Sequence, residues 1–108
     1  MKEDLLKIDI IKQYLKERKI DWTKHCLNRL SKRNILIADV KYILMSGTII
    51  EYYYDDYPYP SCLIKGCSID FKILHVVCGI SDGLIHVITA YYPDVNRWEE
   101  DMKTRRKE

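Results

Sequence analysis

The stretch Ile73–Asp94, ILHVVCGISDGLIHVITAYYPD, constrains the fold more than any other part of the chain. Two apolar runs, Ile73–Cys78 and Leu84–Ala90, flank Ser81-Asp82-Gly83. Asp-Gly between β-branched runs signals a tight hairpin, because a primed turn needs positive φ and these residues tolerate it. Both runs are nearly free of charge, which predicts strands covered on both faces. The rest of the chain must then supply the covering layers.

Along the chain, Leu5, Ile8, Ile11, Tyr14 and Leu15 recur at helical spacing and predict an amphipathic helix over Lys2–Lys19. Ile20-Asp21-Trp22 breaks that pattern. Thr23 is a good N-cap for a helix over Lys24–Arg33, Asn34 a good C-cap, and Ile35–Leu44 reads as a third helix ended by Ser46-Gly47. Four strands are expected at 48–53, 61–67, 72–80 and 84–92. Between the first two, Tyr54–Pro60 reads as a loop with two prolines, and five tyrosines, Tyr52, Tyr53, Tyr54, Tyr57 and Tyr59, fall within eight residues there. The loop either stacks on a ligand or folds back over the sheet. Asp94 is expected to cap a last helix that docks Trp98 and Met102 on the sheet.

The expected fold is therefore α+β: N-terminal helices packed on a four-stranded antiparallel meander, with a C-terminal helix. Residues 1–21 would form an N-terminal amphipathic helix, and 22–108 a single α+β domain. With 108 residues, 47% of them hydrophobic and 31% charged, one core is the limit. No apolar run is long enough to span a membrane and no signal peptide opens the sequence, so the expected location is the cytoplasm. Cys26, Cys62, Cys67 and Cys78 show no metal-ligand spacing and read as buried, reduced thiols. No metal and no cofactor is expected, since the chain carries no H-E-x-x-H motif and no Gly-rich phosphate loop.

Net charge is only +2, but the cations cluster. On the second helix His25, Arg29 and Arg33 lie at i, i+4 and i+8, so they share one stripe. That stripe is either a phosphate-facing surface or a solvated helix face. Lys103, Arg105, Arg106 and Lys107 form a second basic group. In the hairpin, His75 shares a face with Ile73 and Val77, and His86 one with Leu84 and Ile88. Cleaving RNA without a metal needs a base for the 2′-hydroxyl, a cation for the phosphorane and an acid for the leaving oxygen. The His, Arg and Tyr side chains supply all three types.

An ordered set of short elements carries a resemblance. These are Thr23-Lys24-His25-x-x-x-Arg29-x-x-x-Arg33-x-Ile35, Asp39-Val40, Gly47-x-Ile49-Ile50-Glu51, Asp55-Asp56-x-Pro58-Tyr59-Pro60-Ser61-Cys62-Leu63, Leu74-His75-Val76-Val77 and Ile88-Thr89-Ala90-Tyr91-Tyr92-Pro93-Asp94, with Trp98. Together they resemble domain-of-unknown-function family 4258 over about residues 22–106. The resemblance implies a toxin of a type II toxin–antitoxin pair, similar to RelE- and BrnT-type toxins and acting as a metal-independent RNA endonuclease. Its expected partners are a small zinc-finger-type antitoxin and RNA or the ribosome, with no membrane. The matching polar positions, His25, Arg29, Arg33 and His75, are the expected catalytic residues, and Tyr59, Tyr91 and Arg97 the expected substrate-binding ones. The alternative is a non-catalytic protein-binding module that uses the Tyr-rich loop and a sheet edge.

Overall fold

A computed structural model describes residues 6–107. The helices are α1 (Ile8–Lys16), α2 (Lys24–Lys32) and α3 (Ile37–Ser46). The strands are β1 (Ile20–Trp22), β2 (Thr48–Tyr53), β3 (Ser61–Cys67), β4 (Ile73–Ser81) and β5 (Leu84–Tyr91). The α+β class stands, but three details differ from expectation. The sheet has five strands in the order β1-β5-β4-β3-β2 and is mixed, because β1 runs parallel to β5. The expected antiparallel meander is present as β2 to β5. Ile20-Asp21-Trp22 is the added strand: its short apolar–acid–aromatic run pairs with Ile85–Val87 rather than merely ending a helix.

The expected C-terminal helix is absent. Residues 94–107 form turns, tied by a Trp98–Arg105 bridge and by Arg106 N–H donating to the Arg97 carbonyl at 2.8 Å. Asp94 and Asp101 explain this, since their carboxylates accept from nearby backbone N–H groups in Asx turns that compete with helix. Of the helix expected over Lys2–Lys19, the described part is helical from Ile8 to Lys16. Residues 1–5 of that expectation lie outside the described residues.

Local signals elsewhere hold. Thr23 Oγ1 accepts from Cys26 N–H at 3.0 Å and starts α2. Asn34 takes φ 56°, and Ile35 N–H reaches back to the Leu30 carbonyl at 2.9 Å, closing a Schellman turn. Asp82 (φ 54°) and Gly83 (φ 74°) make the β4–β5 turn.

All three helices lie on one face of the sheet. Ile11, Cys26, Leu30, Val40, Ile43 and Leu44 meet Cys62, Ile64, Leu74, Val76, Cys78, Ile85 and Val87 in a core that is essentially solvent-free. The opposite face carries Leu63, His75, Val77 and Gly79. It is covered by the Tyr–Pro loop and by residues 94–107.

Candidate functional site

Two bulges decide which side chains reach that second face. Between Val77↔Thr89 and Cys78↔Val87, β5 carries one extra residue, Ile88. Between Ile49↔Ile64 and Glu51↔Leu63, β2 carries one extra residue, Ile50. An extra residue flips the alternation beyond it. Thr89 and Tyr91 therefore join His75 on the face away from the helices, and so does Glu51. Strict alternation would have sent all three into the helix-side core.

His75 is fully buried there. Its ring meets Tyr91 and Trp98 edge-on, with centroids 5.4 and 4.6 Å away. Nε2–H donates to the Met102 carbonyl at 2.6 Å, which leaves Nδ1 as a buried lone pair without a partner among the described residues. Burial pushes the His75 pKa down, against the opposing hydrogen bond from Nε2–H to Met102.

Beside it, Arg105 donates to both Glu51 oxygens, at 2.8 and 3.1 Å, and stacks over Trp98 at 4.6 Å. Tyr53 Oη donates to Glu51 at 2.6 Å. Burial works to raise the Glu51 carboxyl, but the hydrogen bonds from Arg105 and Tyr53 outweigh it and hold it below the ordinary range. Burial and the adjacent Glu51 push the Tyr53 phenol up to about 12. Burial also raises the Tyr91 phenol, while Arg105 pulls it back.

Arg33 is the one member of the α2 stripe tied to the sheet. β1 covers β5 only along Ile85–Val87, so the outer edge of β5 is free beyond it. Arg33 Nη1 donates there to the Ala90 carbonyl at 2.8 Å and to Thr89 Oγ1 at 3.0 Å. His25 and Arg29 are exposed on the same stripe.

Two clefts take in expected site residues. One, of about 240 Å³, lies between the start of α2, the Ile88 bulge and the Tyr–Pro loop, and is lined by His25, Asp56, Tyr57, Tyr59, Val87 and Ile88. Its loop is pinned where Ser61 Oγ donates to Asp56 and where Tyr59 stacks on His86, with centroids 4.8 Å apart. The other, of about 300 Å³, is lined by Tyr91, Tyr92, Asp94, Arg97, Trp98 and Arg105. It adjoins a polar groove of about 680 Å³ that shares Arg97 and Arg105 and adds Asn96, Arg106 and Lys107.

The expected site residues thus separate. His25 and Tyr59 share the first cleft. Tyr91 and Arg97 share the second, with Arg33 bonded to Thr89 and Ala90 just before Tyr91. His75 lies sealed behind Tyr91 and Trp98, not in an open row with His25. The sequence reading missed Glu51, Tyr53 and Arg105 as a network. The bulges that aim Glu51 and Tyr91 leave no local signature in an unbroken β-branched run.

A family model described as Domain of unknown function (DUF4258) matches residues 22–92. The chain belongs to the DUF4258 family. No curated protein and no solved structure matches it. The DUF4258 match takes in α2, the sheet from β2 to β5, His75 and Tyr91. It leaves outside α1, most of β1, and the segment 94–107 that seals His75.

Proposed function

We propose that this DUF4258 protein is a metal-independent RNA endonuclease and the toxin of a type II toxin–antitoxin pair, with a small zinc-finger-type antitoxin as partner. One observation carries the reading. The stripe His25–Arg29–Arg33 leads from one tyrosine-lined cleft toward another, His25 lining the first and Arg33 bonded to Thr89 and Ala90, just before Tyr91 of the second. The span is roughly 12 Å, from eight residues at ~1.5 Å each. A single strand that runs from the first cleft along the α2 stripe and over the uncovered edge of β5 into the second meets tyrosines at both ends for base stacking and Arg29 between them for phosphate.

In that pose His25 is the exposed imidazole and serves as general base or acid. Arg29 steadies the negative charge that develops on the phosphorane oxygens, and Arg97 in the far cleft holds a neighbouring phosphate. His75 has a different part from the one its motif implied. It is a positioning residue that wedges Tyr91 and Trp98 and holds the Met102 carbonyl.

The test is RNA cleavage in EDTA, free and with ribosomes, by wild type, His25→Ala, Arg29→Ala and Tyr91→Phe. Loss of about 10²-fold or more in the His25 and Arg29 variants, with melting temperature held, is the expected result. A second reading keeps one specific support. Tyr52 and Tyr54 stack at 5.1 Å on the free edge strand β2, and Tyr57 is 95% exposed, a surface suited to adding a partner strand. Wild type that leaves RNA intact under every one of these conditions gives the protein to that reading.

A further inference from the structure

Away from both clefts, an open groove of about 550 Å³ runs between α1, the start of β1 and α3. Leu15, Ile20 and Met45 form its floor, and Lys16, Arg18 and Lys41 its rim. The three apolar side chains are only half-buried and the three cations are exposed. Among the described residues no acid lines the groove. Among the described residues none of these cations makes an ion pair, although nearby Lys19 pairs with Glu17 at 3.1 Å.

The end of α1 adds an independent observation. Arg18 N–H donates to the Leu15 carbonyl at 3.1 Å and Lys19 N–H to the Tyr14 carbonyl at 2.8 Å, a Schellman turn with Arg18 at φ 60°. Glycine or asparagine fits that left-handed position best, and α2 uses Asn34 at the equivalent point. At the end of α1 the chain places a strained arginine instead. Its guanidinium makes no hydrogen bond among the described residues, so none of them offsets the strain.

We propose that this groove docks an acidic amphipathic helix of a partner protein. Its apolar row would lie on Leu15, Ile20 and Met45, and its carboxylates would face Lys16, Arg18 and Lys41. The cations come from two segments, Lys16 and Arg18 at the end of α1 and Lys41 on α3, which suits several carboxylates in a row better than the single head of a fatty acid. The floor is also open and shallow, as a helix-in-groove contact requires, and not a closed acyl tunnel. Leu15, Lys16, Arg18 and Ile20 all precede residue 22, where the family match begins. The groove is thus built by packing this chain's own α1 against the shared domain. It does not depend on the ribonuclease reading.

The experiment measures fluorescence anisotropy of the full chain with a labelled synthetic helix that carries leucine at i, i+3, i+4 and i+7 and glutamate elsewhere. A lysine-for-glutamate version and laurate serve as the other probes. The glutamate helix binds, and Lys41→Glu weakens it about tenfold, because reversing a rim charge sets like charges together. Arg18→Gly weakens it several-fold while its melting temperature stays at or above that of wild type, since glycine relieves the left-handed strain. A purely structural Arg18 would give the opposite pattern, unchanged binding with lowered stability. The proposal falls if the glutamate helix does not bind, if the lysine helix binds equally well, or if both variants bind like wild type. Laurate binding that Lys41→Glu abolishes, with no binding of the glutamate helix, would assign the groove to a lipid instead.

Discussion

At the scale of single residues, His75 shows how an imidazole that looks catalytic in a motif can serve the fold. It is fully buried, donates through Nε2–H to Met102, and presents an Nδ1 that has, among the described residues, no acceptor for a second proton. Its folded pKa lies below the ordinary 6.5. The unfolded chain therefore takes up a proton first as pH falls. Stability from neutral His75 is fully present above about pH 6.5 and is lost as pH drops through that value toward the depressed one, at no more than about 1.4 kcal/mol per unit. Urea melts at pH 7.5 and 5.5 should show the loss. His75→Gln keeps an N–H for Met102 but has nothing to titrate, so it should flatten the slope in this window. An unchanged slope in that variant would place the acid sensitivity elsewhere. Glu51, whose folded pKa is lowered, acts in a separate window, with stability lost only as pH falls through the carboxylate range below about 4.5.

At the scale of elements, much of the architecture could be read from residue order, and what escaped had a physical cause. Thr23 and Asn34 mark the ends of α2 because a capping side chain and a left-handed residue are local devices. The Asp82-Gly83 turn is local as well. The Ile50 and Ile88 bulges are not local: they are settled by what the neighbouring strand opposes, and isoleucine is equally at home in a regular ladder. β1 was missed for a similar reason, since three residues carry no periodicity and gain their strand character only from pairing with β5. The residue row on α2 was legible from spacing alone. The partition of His25 and His75 between two faces was not, because it depends on which face of the sheet each helix covers.

The loop over the second face rests on one small side chain. A Cβ at Gly79 would come within 2.6 Å of the Pro60 carbonyl and of the Tyr59 ring. Gly79→Ala should therefore lift Tyr59 from its stack on His86, at a cost of about 1–3 kcal/mol. The first cleft should open with it. The expected readouts are a lower melting temperature and faster proteolysis within residues 54–60. A Gly79→Ala protein with native stability and an intact loop would show that the backbone shifts freely there.

At the scale of the whole molecule, net charge decides what kind of polyanion binding is available. A net charge of +2 produces little long-range attraction, so any hold on RNA must come from the few cations along the path and not from the overall field. On the proposed path these are Arg29, Arg97 and the partly engaged Arg33. Each phosphate neutralised on a single strand contributes about −0.7 to the slope of log K against log salt, so three contacts give about −2. Anisotropy with a labelled single-stranded RNA across a salt series measures this directly. Arg29→Ala should make the slope shallower by about 0.7 and weaken binding at every salt concentration. Tyr91→Ala should weaken binding with the slope unchanged, because stacking releases no counterions. The two variants together separate phosphate contact on α2 from base contact beyond the edge of β5. A wild-type slope near zero would remove the phosphate path along that helix, and with it the physical basis for reading the stripe as an RNA surface.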